Sequence, residues 1–115
     1  MKPICFLNGS FLPLEEAKIG VLDLALLRGF GIYEGLAAHT GEPFRFPDHF
    51  ARFQSAAQAL QLTIPFSETE TLEAMRKVIR ENVDGDRGIV RMLLTGGKAT
   101  SGIKHVAGRE VLYII

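Results

Sequence analysis

The feature that most constrains the fold is residues 28–52, where a glycine-spaced turn, a β-hairpin and a helix follow one another directly. Gly29 and Gly31 tolerate backbone angles that other residues avoid, so we expect a sharp turn there. Two segments with strand character come next, residues 32–38 and 42–46, and a short segment ending in glycine separates them. This arrangement predicts a hairpin that leads straight into a helix.

The helix after the hairpin is predicted over residues 47–62. Pro47 suits its first position, because the N–H that proline lacks is not needed there. An apolar stripe at helical spacing is formed by Phe46, Phe50, Phe53, Ala57 and Leu60. His49 and Arg52 lie on one flank of this stripe, three residues apart. We therefore expect Arg52 to reach a cleft without entering the core, so that its replacement spares the fold.

The remaining elements are one more helix and four strands. A capping box at its start predicts a helix over residues 67–82. The strands are predicted over residues 4–7, 10–12, 89–95 and 111–115. In the strand over residues 89–95, alternation directs Val90, Met92 and Leu94 to one face and Ile89, Arg91, Leu93 and Thr95 to the other.

This order of elements predicts an α+β fold, an antiparallel sheet with two helices packed on one face. The expected core consists of Phe50, Phe53, Leu60, Leu72, Met75, Ile79, Val90, Met92 and Leu94. A chain of 115 residues is the size of a single domain, 1–115. It ends inside an apolar strand, which is unusual, so we expect it to be part of a longer protein.

Composition narrows the classes of function. The formal net charge is +0, so electrostatics predicts neither a nucleic-acid nor a membrane partner. No apolar run could span a bilayer. A single cysteine, Cys5, cannot form an internal disulfide, which fits a reducing compartment. We expect Cys5 to be a small buried residue of a strand. We therefore expect a cytoplasmic protein. There is no Cys/His cluster with metal-ligand spacing, and no metal is expected.

The motifs resemble a known family. Residues 21–35, VLDLALLRGFGIYEG, and the later FRFPDHFARF are similar to the N-terminal half of fold-type IV pyridoxal 5'-phosphate (PLP) enzymes. That group includes branched-chain aminotransferases, D-amino-acid aminotransferases and aminodeoxychorismate lyases. The resemblance extends from about Phe6 to the last residue. It implies the N-terminal domain of the D-amino-acid aminotransferase-like fold, PLP as cofactor, amino acids and 2-oxo acids as substrates, and a homodimer.

The resemblance also implies roles for individual residues. Arg52 occupies the position of an arginine that holds the cofactor phosphate, and a guanidinium matches phosphate geometry with paired hydrogen bonds. Tyr33 corresponds to an aromatic residue that lines the substrate pocket, although a packing tyrosine is an equal alternative. Glu34 is expected to be structural. His49 is expected to bond a neighbouring backbone carbonyl.

Two further arginines are candidates for the substrate site. Arg91 interrupts an apolar strand, and burying an unpaired cation is costly, so it should face a cleft, a partner or an interface. The similar enzymes carry an arginine here near the substrate, whereas a structural salt bridge is the alternative. Arg28, just before the glycine turn, could be solvated or could form part of the pocket wall.

The loop over residues 94–102 favours one branch of the family. The D-amino-acid and lyase branches carry an arginine near Ser101 or Gly102 that binds a substrate carboxylate, and this chain has none there. Many of the similar enzymes also have an arginine where this chain has Gly96. A transaminase for branched-chain L-amino acids is therefore favoured, with an aminodeoxychorismate lyase or a D-amino-acid aminotransferase as the alternative.

PLP catalysis needs a lysine that forms a Schiff base with the cofactor. The five lysines of this chain lie outside any motif resembling the catalytic one, and they are Lys2, Lys18, Lys77, Lys98 and Lys104. In the similar enzymes that lysine belongs to a second, C-terminal domain. We therefore expect one wall of an active site, inactive by itself. A module that only dimerises or binds a partner is the competing class.

Overall fold

The computed structural model describes residues 3–115, and nine regular elements organise them. The strands are β1 (Ile4–Leu7), β2 (Ser10–Pro13), β3 (Gly31–His39), β4 (Glu42–Pro43), β5 (Arg87–Thr95) and β6 (Val111–Ile114). The helices are α1 (Leu24–Arg28), α2 (Phe46–Ala59) and α3 (Glu68–Asn82), and a 3-10 turn covers Leu14–Glu16. The predicted order of strands and helices is thereby confirmed.

The strands form a six-stranded sheet in the order β2-β1-β6-β5-β3-β4, and every neighbouring pair is antiparallel. The longest pairing joins β3 and β5, from Gly31 opposite Thr95 to His39 opposite Arg87. β3 thus lies next to the strand that carries Arg91. This register brings the glycine turn, Tyr33 and Arg91 into one region of the sheet.

Helices α2 and α3 pack on the same face of the sheet and form the core with it, as predicted. Phe50 and Phe53 of α2 and Met75 and Ile79 of α3 are buried against Val90, Met92 and Leu94 of β5. The predicted alternation along β5 is confirmed, because Arg91 and Ile89 are exposed on the other face. Leu72 is half-buried and packs against the core cluster.

Leu60 was wrongly expected in the core. Helix α2 ends at Ala59, and Leu60 is its C-terminal cap with 37% of its surface exposed. The chain then reverses through Gln61, whose φ is 59°, and Leu62 enters the core instead at 5% exposure. The apolar stripe continued in the sequence by one turn beyond the point at which the helix stops.

The second hairpin strand is shorter than predicted. β4 has two residues, and Phe46, expected at the strand's end, is the first residue of α2. Arg45 caps the helix in the left-handed conformation at φ 54°, which redirects the chain. Because β4 pairs only with Ala38 and His39, residues 31–36 of β3 have no strand beyond them in the described part of the chain.

The sheet face opposite α2 and α3 is only partly covered. Residues 14–28 cross it near β5 and β6 and leave an apolar cavity of ≈ 300 Å³ whose walls include Leu93, Tyr113 and Ile115. Tyr33, Ile89 and Arg91 lie exposed on this face, which we call the open face. Within residues 3–115, none of the helices is both long and apolar enough to cross a membrane.

Candidate functional site

Glu34 of β3 is the centre of a charged cluster between the sheet and α2. Its side chain keeps only 6% of its surface exposed. Arg52 donates from Nε to Oε2 at 2.7 Å and from Nη2 to Oε1 at 2.8 Å. His49 Nδ1 lies 2.7 Å from Oε1. Both carboxylate oxygens are therefore occupied by side chains from one face of α2.

The cluster favours a charged carboxylate at Glu34. The hydrogen bond from Arg52 lowers the pKa of Glu34 below its usual 4.5, and that effect and the bond from His49 outweigh burial, which acts in the opposite direction. The same contact raises the pKa of Arg52. An ionised carboxylate only accepts hydrogen bonds, so His49 must carry its proton on Nδ1.

Helical spacing explains why both partners meet one carboxylate. His49 and Arg52 are three residues apart on α2, and residues at that spacing are neighbours on a helix surface. His49 was expected to bond a backbone carbonyl, and this expectation is wrong, because Glu34 of the neighbouring strand supplies a stronger, ionised acceptor at 2.7 Å. Glu34 is structural in the sense expected, since it ties β3 to α2.

The guanidinium of Arg52 is held by Glu34 on one side and exposed on the other. Its side chain is 71% exposed although two of its nitrogens are bonded to Glu34. Within residues 3–115, Nη1 has no hydrogen-bond partner. The outer side of the guanidinium is thus free for a second, anionic partner. The ion pair changes the expectation for its replacement, because losing Arg52 would remove two hydrogen bonds from a buried carboxylate.

Tyr33 and Arg91 are diagonal neighbours on the open face. Tyr33 pairs with Leu93, and Gly35, two residues further on, pairs with Arg91. The Tyr33 hydroxyl lies over Gly35, where an added Cβ would be only 2.7 Å from it. The phenol therefore extends along the strand toward the position of Arg91. A hydroxyl and a guanidinium on one face can both donate to a carboxylate.

Arg91 is exposed, and within residues 3–115 its side chain has no ion pair. The alternative of a structural salt bridge is therefore not found in the described chain. Its neighbours along β5 on the same face are Ile89, at 64% exposure, and the half-buried Leu93. A cation between apolar side chains suits a ligand with one charged end and an apolar body.

Arg28 is the last residue of α1, and its guanidinium lies 4.5 Å from the centre of the Phe30 ring. Phe30 also contacts His105 edge-on, with ring centres 5.4 Å apart. His105 Nε2 is in turn 3.5 Å from Glu110 Oε2. Arg28 thus lies at the end of a contact chain that connects the glycine turn with the loop before β6. The structure does not bring Arg28 into contact with Tyr33, Arg52 or Arg91.

A second buried network was missed in the sequence. Asp23 caps α1 through Ala25 N, and its other oxygen accepts a hydrogen bond from Thr95 at 2.9 Å. Thr95 also accepts from Gly97 N at 3.1 Å. The network ties the start of α1 to the loop after β5, directly beside the open face. Thr95 lies 72 residues after Asp23, and no local sequence pattern indicates this pairing.

The two candidate regions share strand β3, because Glu34, the partner of Arg52, directly follows Tyr33. Arg52 belongs to a helix on the core face, whereas Tyr33 and Arg91 lie on the open face. Residues 31–36 of β3 have no strand beyond them among the described residues. A ligand at that edge can therefore reach both faces. In residues 3–115, no group of three or more His, Cys, Asp or Glu side chains could hold a metal ion.

Most of the chain matches a known protein family. The family profile described as amino-transferase class IV matches residues 31–115, which include β3, both long helices, β5 and β6. The chain therefore belongs to the class IV aminotransferases. The α+β fold agrees with solved members of that class.

Two sequence relatives differ in the amino-acid substrate that their names give. A protein of Methanocaldococcus jannaschii described as a branched-chain-amino-acid aminotransferase is 32% identical over 111 residues, 96% of this chain and 38% of the relative. A D-alanine aminotransferase of Staphylococcus epidermidis is 35% identical over 77 residues, 67% of this chain and 27% of the relative. The chain thus spans well under half the length of these relatives.

Solved structures also match almost the whole of this chain and well under half of their own length. The branched-chain amino acid aminotransferase of Escherichia coli matches with a TM-score of 0.86 at 28% identity, covering 99% of this chain and 39% of that one. The T.th. branched-chain amino acid aminotransferase, in complex with N-(5'-phosphopyridoxyl)-L-glutamate, matches with a TM-score of 0.86 at 31% identity, covering 99% of this chain and 40% of that one. The same enzyme has also been solved with pyridoxamine 5'-phosphate.

Proposed function

We propose that this chain forms the N-terminal part of a longer, PLP-dependent aminotransferase that acts on branched-chain L-amino acids and 2-oxo acids. The observation that carries this proposal is the open edge of β3, where Tyr33 lies on the open face and the adjacent Glu34 holds Arg52 with one side of its guanidinium free. Membership of class IV and the match to solved branched-chain enzymes support it.

Arg52 is the proposed ligand of the cofactor phosphate. A phosphate needs paired donors and positive charge, and the exposed side of this guanidinium supplies both. Glu34 occupies the opposite side and leaves those donors available. When bound, PLP acts as an electron sink that stabilises negative charge at the substrate's α-carbon. The residues of this chain would hold and orient that group.

Tyr33 and Arg91 are the proposed substrate-binding residues. Arg91 would attract a substrate carboxylate, and the phenol of Tyr33 would add a neutral donor and an apolar ring. Ile89 and Leu93 flank Arg91 on the same face and would contact an apolar substrate side chain. Arg28 would belong to the pocket wall through its contact with Phe30.

A D-amino-acid aminotransferase is the second candidate, because D-alanine aminotransferases of Staphylococcus species match residues of this chain at up to 35% identity. The loop after β5 favours the first candidate. It has Ser101 and Gly102 where the resemblance leads one to expect an arginine in that branch. Without that arginine, a D-substrate would lack the carboxylate partner that the branch uses.

We further propose that the longer protein supplies a C-terminal domain with the cofactor-bearing lysine, and that it is a cytoplasmic homodimer. The branched-chain relatives are about two and a half times as long as the matched region, which leaves room for such a domain. Several apolar side chains of residues 19–27 are exposed, including Val21 at 74% and Leu26 at 58%. This exposure supports the proposal that another domain or a second subunit covers that surface.

The experiment is an activity assay of the full-length protein with PLP. Branched-chain L-amino acids, D-alanine and aminodeoxychorismate are offered separately, the first two with 2-oxoglutarate as acceptor. We expect amino transfer from the L-substrates, none from D-alanine, and no lyase product. Transfer from D-alanine alone would replace the first candidate by the second. No turnover of any substrate, with no PLP absorbance band after dialysis, would favour a non-catalytic binding module.

A further inference from the structure

We propose that Glu34 is a positioning residue, which holds the guanidinium of Arg52 by its inner side so that its outer side faces a phosphate. His49 supports Glu34 in this role. The inference deepens the proposed function, because it rests on Arg52 as the phosphate ligand. It gives a role in ligand binding to Glu34, for which only a structural role was expected.

The hydrogen bonds divide the guanidinium into two sides. Arginine has five N–H donors in a rigid plane. Glu34 accepts one from Nε and one from Nη2, at 2.7 Å and 2.8 Å. Of the three donors left over, one on Nη1 and one on Nη2 point out of the end of the side chain, away from Glu34. That end has the spacing needed to bind two oxygens of one phosphate.

The two partners differ strongly in exposure, and this difference assigns the roles. Glu34 is 6% exposed and belongs to a strand paired along its whole length with β5, so it is the fixed partner. Arg52 is 71% exposed, and a long side chain at such a site would otherwise sample many rotamers. Ordering such a side chain costs affinity when it binds a ligand. Glu34 orders it before the ligand arrives.

His49 completes the support. Its Nδ1 lies 2.7 Å from Oε1 of Glu34, the oxygen that also accepts from Nη2 of Arg52. A carboxylate bonded by donors from two residues cannot rotate freely about its last bond. The orientation of the guanidinium is therefore determined by β3 and by α2 together.

If Glu34 acts by positioning, its removal should change anion affinity in the direction opposite to that expected from electrostatics alone. A carboxylate next to Arg52 repels a phosphate, so on charge alone its removal should tighten anion binding. If Glu34 acts by positioning, its removal should weaken anion binding, because Arg52 must then be ordered by the ligand. Neutralising Glu34 at nearly constant shape separates the two effects.

The test uses the apo form of the full-length protein and measures PLP affinity by absorbance or fluorescence titration, with inorganic phosphate as a competitor. Arg52→Ala should weaken PLP binding by about tenfold to a hundredfold. Glu34→Gln should weaken it by about threefold to tenfold. Asp48→Asn is the matched control, because it removes an exposed carboxylate bonded to Arg45 on the same helix. It should leave the affinity unchanged.

The outcomes are distinguishable. If Arg52→Ala weakens PLP binding but folded Glu34→Gln binds as tightly as wild type or more tightly, positioning is overturned and the phosphate role of Arg52 stands. If Arg52→Ala binds normally, the proposed cofactor role itself fails. Should Glu34→Gln not fold, His49→Ala takes its place, because it removes one donor and keeps the carboxylate. Weaker PLP binding that His49→Asn restores would support positioning, and unchanged binding in folded His49→Ala would overturn it.

Discussion

The hydroxyl of Tyr33 lies directly over Gly35, the second residue after it on the same face of β3. A Cβ at position 35 would be 2.7 Å from that hydroxyl and 3.3 Å from the carbon that bears it. Gly35 also pairs with Arg91. The absent side chain at position 35 is therefore what allows the phenol to extend toward the strand position of the arginine.

Gly35→Ala should displace the Tyr33 ring with little loss of stability. The ring is 55% exposed and can move, and alanine is no worse than glycine inside a strand, so the melting temperature should change little. If Tyr33 contacts the substrate, the displacement should raise KM or lower kcat/KM by about tenfold in the full-length enzyme. Steady-state kinetics and apo melting curves measure the two effects.

Gly20→Ala is the matched control for that variant. Gly20 has no atom within 4 Å of an added Cβ and does not adopt a positive φ. Its replacement should leave both kinetics and melting temperature unchanged. Normal kinetics in Gly35→Ala would mean that the position of the Tyr33 ring has no bearing on substrate binding.

Arg52→Ala should destabilise the apo protein. The substitution removes two of the hydrogen bonds on the carboxylate of Glu34, which is 6% exposed and would be left with His49. Arg52→Lys should lose less, because it keeps the charge but not the paired geometry. Thermal melting of the two apo variants beside Asp48→Asn measures this, and a melting curve of Arg52→Ala equal to that of wild type would show that the ion pair adds nothing to stability.

The fold was predictable because its main patterns repeat over many residues. The stripe of α2 and the alternation of β5 each recur several times, and both were found with the correct phase. The exposure of Leu60 and the length of β4 depend on where a helix or strand ends. A single residue with a left-handed backbone angle, such as Gln61 or Arg45, determines each of these ends. No repeated pattern reports such a position.

The site was only half predictable for a similar reason. Arg52 and His49 could be placed on one flank of a helix from their spacing alone. Glu34, 18 residues before Arg52, becomes their partner only when β3 packs against α2. A signal was present nevertheless, since Glu34 shares its strand phase with Leu36 and Ala38, both buried. A carboxylate at a core-facing position requires a cation or several donors.

The pH dependence of stability should reveal the ion pair of Glu34. Arg52 holds the pKa of this carboxyl below its usual 4.5, so near pH 4.5 the unfolded chain binds more protons than the folded chain. The free energy of unfolding should therefore rise with pH in this range. The stabilisation should be complete above about pH 4.5 and be lost as the pH falls through the lower, folded pKa.

Glu34→Gln should remove this contribution. The slope of unfolding free energy against pH below about pH 4.5 should fall by at most about 1.4 kcal/mol per pH unit, the value for one proton. The pKa values of Glu70 and Glu110 are also lowered, but those groups are present in both proteins and cancel in the difference. Urea unfolding at several pH values measures it, and parallel curves for the two proteins would contradict the prediction.

Thr95→Val should destabilise the protein more than Thr95→Ser. Valine has the shape of threonine but no hydroxyl, so Asp23 Oδ2 would lose its donor and Gly97 N its acceptor in a buried region. Each unsatisfied buried group costs about 1–3 kcal/mol, although relaxation of the loop would recover part of the sum. Serine keeps the hydroxyl and loses one methyl group, a smaller cost. Denaturant unfolding of the three proteins gives the order, and equal losses for valine and serine would show that packing of the methyl group, rather than the bond to Asp23, holds α1 to the loop after β5.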